Sequence, residues 1–118
     1  MMILILGGLA SGKRTFAEHV LGYSPAQMSD GVLNDLPVLY NLQDLVAADP
    51  EHAPDLLDAL LKKEVVIVNE VGSGLIPMDP RERLVREATG RLTIRLAQKA
   101  DTVIRMVAGL PQVIKGSL

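Results

Sequence analysis

Cysteine is absent from this chain of 118 residues, and so is tryptophan. The first absence excludes disulfides, thiolate nucleophiles and cysteine-ligated metals. With one Phe and two Tyr besides, few rings are left on which unpaired bases could stack, so no nucleic-acid partner is expected. No apolar run approaches the ~20 residues that cross a bilayer, so no membrane partner is expected either. The one apolar run near the start, Met2-Ile3-Leu4-Ile5-Leu6, has no basic leader. It reads as a buried strand rather than a signal peptide, with a cytoplasmic location as the expectation.

What is present fits one folded domain over residues 1–118, with 48% apolar and 22% charged residues. The net charge of -2 conceals an asymmetry: residues 1–59 carry two basic and eight acidic side chains, residues 60–118 ten basic and six acidic. Much of the positive charge falls between Arg81 and Lys99. There Glu82–Arg86, Arg83–Glu87 and Glu87–Arg91 are spaced four apart, the pattern of a solvated helix face that pairs its own charges.

Strand and helix patterns alternate along the chain. Residues 2–6 predict a parallel strand and 12–21 a helix with Phe16, Ala17, Val20 and Leu21 on one side. Residues 22–36 read as loop. Pro37 can open a second helix through about Ala48, burying Val38, Leu39, Leu42, Leu45 and Val46. Pro54 to Lys63 predicts a third helix. Val65-Val66-Ile67-Val68 is a second buried strand ending at Asn69-Glu70, followed by the glycine-bearing stretch Val71 to Pro77. Asp79, Pro80 and Glu82 have the spacing of a capped helix start, and Leu84, Ala88, Leu92 and Leu96 recur along its inner side. Thr102–Val107 is a third strand, and 112–115 a short edge strand or hairpin partner. The fold class is therefore α/β, a P-loop NTPase-like, mainly parallel sheet flanked by helices, with ligands expected at the strands' carboxyl ends.

The most informative stretch is Gly7-Gly8-Leu9-Ala10-Ser11-Gly12-Lys13-Arg14-Thr15, between the first strand and the first helix. It satisfies the phosphate-cradling pattern G-x-x-x-x-G-K-[ST] except at its last position. Glycines let successive N–H groups turn inward to phosphate oxygens, and Lys13 places a cation over the outer phosphates. Gly7, Gly8, Leu9, Ala10, Ser11, Gly12, Lys13, Arg14 and Thr15 are the candidate nucleotide-binding residues. The last position ordinarily supplies the hydroxyl that holds Mg²⁺, and here it is Arg14. A guanidinium stays protonated, cannot ligate a metal and repels it. Thr15, one step along the helix, points ~100° away. Either other groups hold the metal, or Arg14 itself neutralises phosphate charge.

Glu70 follows the second strand where nucleotide-hydrolysing sheets place a carboxylate for Mg²⁺, so it is a candidate catalytic and metal-binding group; the alternative is a strand-terminal acid facing solvent. Asp30 is a second carboxylate without a strand pattern before it. Arg83 and Arg86 could reach a phosphate bidentately. His19 and His52 carry no catalytic expectation.

These residues together resemble the adenosylcobinamide kinase/adenosylcobinamide-phosphate guanylyltransferase family of cobalamin biosynthesis. With a looser match near Asp30 to Leu45, the resemblance rests on residues 1–21 and on 64–115. In the latter, Val65 to Pro77 continues into Arg83, Arg86, Gly90-Arg91, Leu96-Ala97, Ala100-Asp101, Val103 and Ala108-Gly109-Leu110-Pro111 with Lys115. It implies ATP or GTP as donor, a cobinamide hydroxyl as acceptor, Lys13 and Glu70 as catalytic residues, and a homo-oligomer assembled through helices. The family's guanylylated histidine has no counterpart in either His19 or His52. Thr93-Ile94 stands where the family has an Asn-Gln pair. Two readings follow: a kinase-like transferase that has lost the guanylyl step, or a nucleotide- or corrinoid-binding protein that no longer turns over. A third, a scaffold whose loop binds nothing, conflicts with the intact Gly7–Lys13 spacing.

Overall fold

The structure is a computed structural model that describes residues 1–70 and 79–118. Its centre is a six-stranded sheet in the order β2-β3-β4-β1-β5-β6. The strands are β1 (Ile3–Gly7), β2 (Met28–Asp30), β3 (Val38–Tyr40), β4 (Val65–Asn69), β5 (Thr102–Val107) and β6 (Leu110–Lys115). β1 lies between β4 and β5, parallel to both, with Ile3 opposite Val65 on one side and Thr102 on the other. Only β6 is antiparallel, joined to β5 by the Ala108-Gly109 turn.

The strands' period of two divides the core into layers. Ile5, Ile67 and Ile104 face helix α1 (Lys13–His19), where they meet Phe16 and Ala17. Leu4, Val66 and Val103 face α2 (Leu42–Ala48), α3 (Leu57–Leu61) and the twenty-residue α4 (Pro80–Lys99), where Leu42, Val46, Leu57, Leu60, Leu92 and Leu96 close over them. The sheet is thus buried on both faces, which is why its strands read as unbroken apolar runs. The fold class inferred from the sequence is the fold observed. Among the described residues, no helix is long and apolar enough to cross a membrane.

Several boundaries differ from expectation. The helix expected from Pro37 begins only at Leu42; Val38–Tyr40 is a strand. Val38 belongs to the core on the α1 side and Leu39 to the core on the other, an alternation that only an extended backbone provides. Asn41, in a left-handed conformation at φ 56°, then turns the chain from β3 into α2. Residues 22–36, expected as loop, contain β2, which pairs with β3. The loop before β3 is tied down by Lys63, an 8% exposed lysine whose ammonium donates to the carbonyls of Asn34 and Leu36. The third helix is a tight 3₁₀ turn over Pro50–Leu56 that becomes α-helical only at Leu57, because Pro54 cannot extend an α-helical ladder. The start of α4 is as expected, with Asp79 accepting from the Glu82 amide at 2.8 Å. Its inner side differs in one place: Leu84 is exposed, while Thr89 is buried alongside Ala88, Leu92 and Leu96.

Leu39, fully buried, tests the assignment of β3. Leu39→Ala should lower unfolding free energy by about 2–5 kcal/mol, the range for a leucine cut from a packed core. Chemical denaturation measures it, and a loss within ~0.5 kcal/mol, as at surface positions, would contradict the placement.

Candidate functional site: a glycine loop at the carboxyl end of the sheet

The residues from Gly7 to Arg14 leave the central strand and enter α1, and neighbouring backbone fixes their path. The Glu70 amide donates to the Gly7 carbonyl at 2.8 Å, and the Gly109 amide donates to the Ser11 carbonyl at 3.0 Å. A Cβ at Gly7 would stand 2.6 Å from Ser11 Oγ and 2.7 Å from the Met106 carbonyl oxygen, so the loop can double back only with glycine there. Gly12 enters the helix at φ 93°, a left-handed conformation natural to glycine. Ala10 holds φ 58°, a conformation costing an L-residue roughly 1–2 kcal/mol that the surrounding contacts must offset.

Lys13 is 7% exposed, with its ammonium folded back on the loop, 2.6 Å from the Gly8 carbonyl and 3.4 Å from Ser11 Oγ. Burial lowers its pKa below the ordinary 10.5, and the nearby charge of Glu70 pulls it partly back. Arg14 turns outward and lays its guanidinium over the Tyr40 ring, 4.4 Å from the centroid, a cation–π contact between α1 and the end of β3. The seven residues from Leu9 to Thr15 line a hollow of about 400 Å³, whose other walls are Tyr40, Asn41, Ile67 and Asn69. Of the nine loop residues named from the sequence, Leu9 to Thr15 line this open cavity, and Gly7 and Gly8 are not among its lining residues.

Across β4 runs a chain of amides. Asn41 donates to Asp30 Oδ1 at 2.7 Å, Gln43 donates to Asn41 Oδ1 at 3.2 Å, and the Asn69 amide donates to Gln43 Oε1 at 3.2 Å. Asp30 thus ends a strand after all, its carboxylate committed to Asn41. A second hollow of about 320 Å³ lies toward α4, where Asn69 and Glu70 face Gly90, Thr93 and Ile94.

Glu70 is not open to solvent alone. Arg105 on β5 grips its carboxylate bidentately, Nε at 2.6 Å from Oε1 and Nη2 at 3.1 Å from Oε2. This bears on whether the site suits the divalent cation that glycine loops of this type ordinarily hold. The hydroxyl position carries the cation Arg14, and both oxygens of the carboxylate are taken by another arginine. The residues present do not fit a metal in its usual place.

The remaining candidates lie elsewhere. Arg83 and Arg86 stand in the first two turns of α4 and line neither hollow. Arg91 approaches Glu87 at 3.6 Å, one of the pairs expected from the spacing. His52 bonds Asp49 at 2.8 Å, which raises its pKa, and His19 ends α1. The expected glycine loop with Gly72 and Gly74 lies outside the described residues. Sequence reasoning missed Tyr40, Asn41, Asn69 and Arg105. Only a lone arginine inside the apolar strand Thr102–Val107 could have flagged the last, and reading 37–48 as one helix hid the first two.

A parallel α/β sheet whose first strand feeds a glycine loop and a lysine-bearing helix defines a protein of the P-loop type. Residues 36–114, more than half of the chain, match the family described as cobinamide kinase/cobinamide phosphate guanyltransferase, and the chain belongs to it. It is 42% identical over 53 residues to the bifunctional adenosylcobalamin biosynthesis protein CobU of Salmonella typhimurium, a match covering 45% of this chain and 29% of that protein. It is 28% identical over 100 residues to the bifunctional adenosylcobalamin biosynthesis protein CobP of Pseudomonas aeruginosa, covering 79% and 58% respectively. In each case the match spans less than two thirds of the relative's length.

The buried ammonium predicts a pH dependence. Because the folded pKa of Lys13 lies below its unfolded value of 10.5, the unfolded chain binds more protons between the two values, and stability rises with pH across that window. Lys13→Met should lack this rise. Urea unfolding of both proteins from neutral pH to 10.5 should show wild type gaining relative to the variant; parallel profiles would contradict the assignment.

Proposed function

We propose that this protein binds a nucleoside triphosphate, ATP or GTP, at the Gly7–Thr15 loop and transfers its terminal phosphoryl group to the hydroxyl of adenosylcobinamide. In this reading guanylyl transfer, the family's second activity, is lost, and the support for that is that neither His19 nor His52 is among the residues lining the loop cavity. The observation that carries the reading is the cavity itself: seven consecutive loop residues, with a buried lysine among them, open onto it at the carboxyl end of the sheet. In this scheme the amides from Gly8 to Arg14 and the Lys13 ammonium hold phosphate oxygens. Glu70 orients the acceptor.

One observation favours a second reading, binding without turnover in a regulatory or partner role. The carboxylate that would orient an acceptor is clamped by Arg105, and the position that would bind Mg²⁺ is a guanidinium. The kinase reading requires nucleotide to bind, and so does the second reading as a nucleotide-binding protein.

Thermal unfolding with ATP and GTP tests that requirement, since a ligand at a hundred times its Kd adds about 2.7 kcal/mol to the folded state. No rise in Tm at millimolar nucleotide would refute both nucleotide-binding readings. Phosphoryl transfer to adenosylcobinamide then separates them. Wild-type turnover supports the kinase; turnover by Arg14→Ser alone supports the second reading.

A further inference from the structure

We propose that the site takes its nucleotide as the metal-free polyphosphate, Arg14 and Arg105 occupying the two positions from which a loop of this kind ordinarily holds its divalent cation. This rests on the nucleotide-binding reading above and goes beyond it by fixing the ionic form of the ligand.

Two independent placements point the same way. At the end of the loop, Arg14 stands where a hydroxyl would ligate the metal, and its guanidinium is held against Tyr40 at 4.4 Å, on the wall of the loop's hollow of about 400 Å³. Stacking engages the face of a guanidinium while its N–H groups point outward in the plane, the geometry that meets phosphate oxygens. At the end of the neighbouring strand, Arg105 reaches across β1 and satisfies both oxygens of Glu70. A cation entering between Glu70 and a phosphate would meet a carboxylate whose charge is already paired by Arg105, which weakens its hold on a metal. Neither guanidinium can yield by losing its proton.

The charge balance completes the argument. Glu70 is the carboxylate whose charge reaches Lys13, and Arg105 offsets it. Lys13 and Arg14 both line the hollow, and no acidic side chain is among its lining residues. That arrangement favours the more highly charged ligand, the polyphosphate stripped of metal, and discriminates against its magnesium complex.

Calorimetric titration of ATP into the full chain, in EDTA and in excess Mg²⁺, tests this with wild type alone. The expected result is binding in EDTA as tight as, or tighter than, binding with Mg²⁺. A gain of about tenfold or more on adding Mg²⁺ would overturn the proposal while leaving the nucleotide reading intact. No binding in either condition would refute that reading and this proposal with it. The double variant Arg14→Ser/Arg105→Gln assigns the cause: its affinity in EDTA should fall about tenfold or more, the scale of a lost charge-assisted contact, and recover with Mg²⁺. Retention of metal-free affinity by the double variant would show that the two arginines are not the substitute and overturn the assignment.

Discussion

The position of β1 between β4 and β5 is the constraint on which the loop end depends. Its five residues are paired on both sides, and Leu4 and Ile5 are fully buried on opposite faces. The carboxyl end of such a strand cannot shift without unpairing the middle of the sheet. Gly7 is therefore delivered against Met106, the Glu70 amide meets its carbonyl, and the hairpin turn at Gly109 reaches Ser11. The conformation of the loop is imposed by the strands around it as much as by its own glycines. The φ of Ala10, unfavourable in isolation, persists for the same reason.

On that rigid floor the charges are arranged unusually. Lys13 is desolvated and folded on the loop's own carbonyl. Arg14 is parked on an aromatic ring contributed by another strand, and Glu70 is neutralised from β5. Lys13 keeps to the loop pattern, while Arg14 and the paired Glu70 both depart from what that pattern with a metal would require, and the two departures are mutually consistent. An arginine at the hydroxyl position would be a liability beside an unpaired carboxylate waiting for Mg²⁺. Beside a carboxylate already paired, it adds cationic potential without competing for the same partner.

Much of this was legible in the sequence because it follows from short-range pattern. The run Met2 to Leu6 and the run Val65 to Val68 could only be buried strands, the loop's spacing is a local property, and the Asp79 cap needed three residues to read. What escaped was tertiary. Val38-Leu39-Tyr40 carries apolar residues at spacings shared by strand and helix, and proline at position 37 suits a helix start as well as a strand boundary. Pairing with β4 settled the matter, and pairing is invisible in one sequence. Arg105 lies 35 residues from Glu70, and only the parallel alignment of β4, β1 and β5 brings them together. Tyr40 and Asn41 entered the site for the same reason.

The ladders of this sheet are uneven. β1 is paired over five residues on each side, β2 with β3 over three, and β3 with β4 over two. Opening free energies in folded proteins grade with such local support, from global unfolding at the centre toward sub-global fluctuation at lightly paired edges. The floor of the cavity, built on β1, belongs to the slow-exchanging centre. The wall that carries Tyr40 and Asn41 stands on the lightly paired side of the sheet, with the Lys63 ammonium as its staple. The hollow thus joins a wall with dense strand pairing to one with sparse pairing, and the aromatic seat of Arg14 lies on the sparsely paired side.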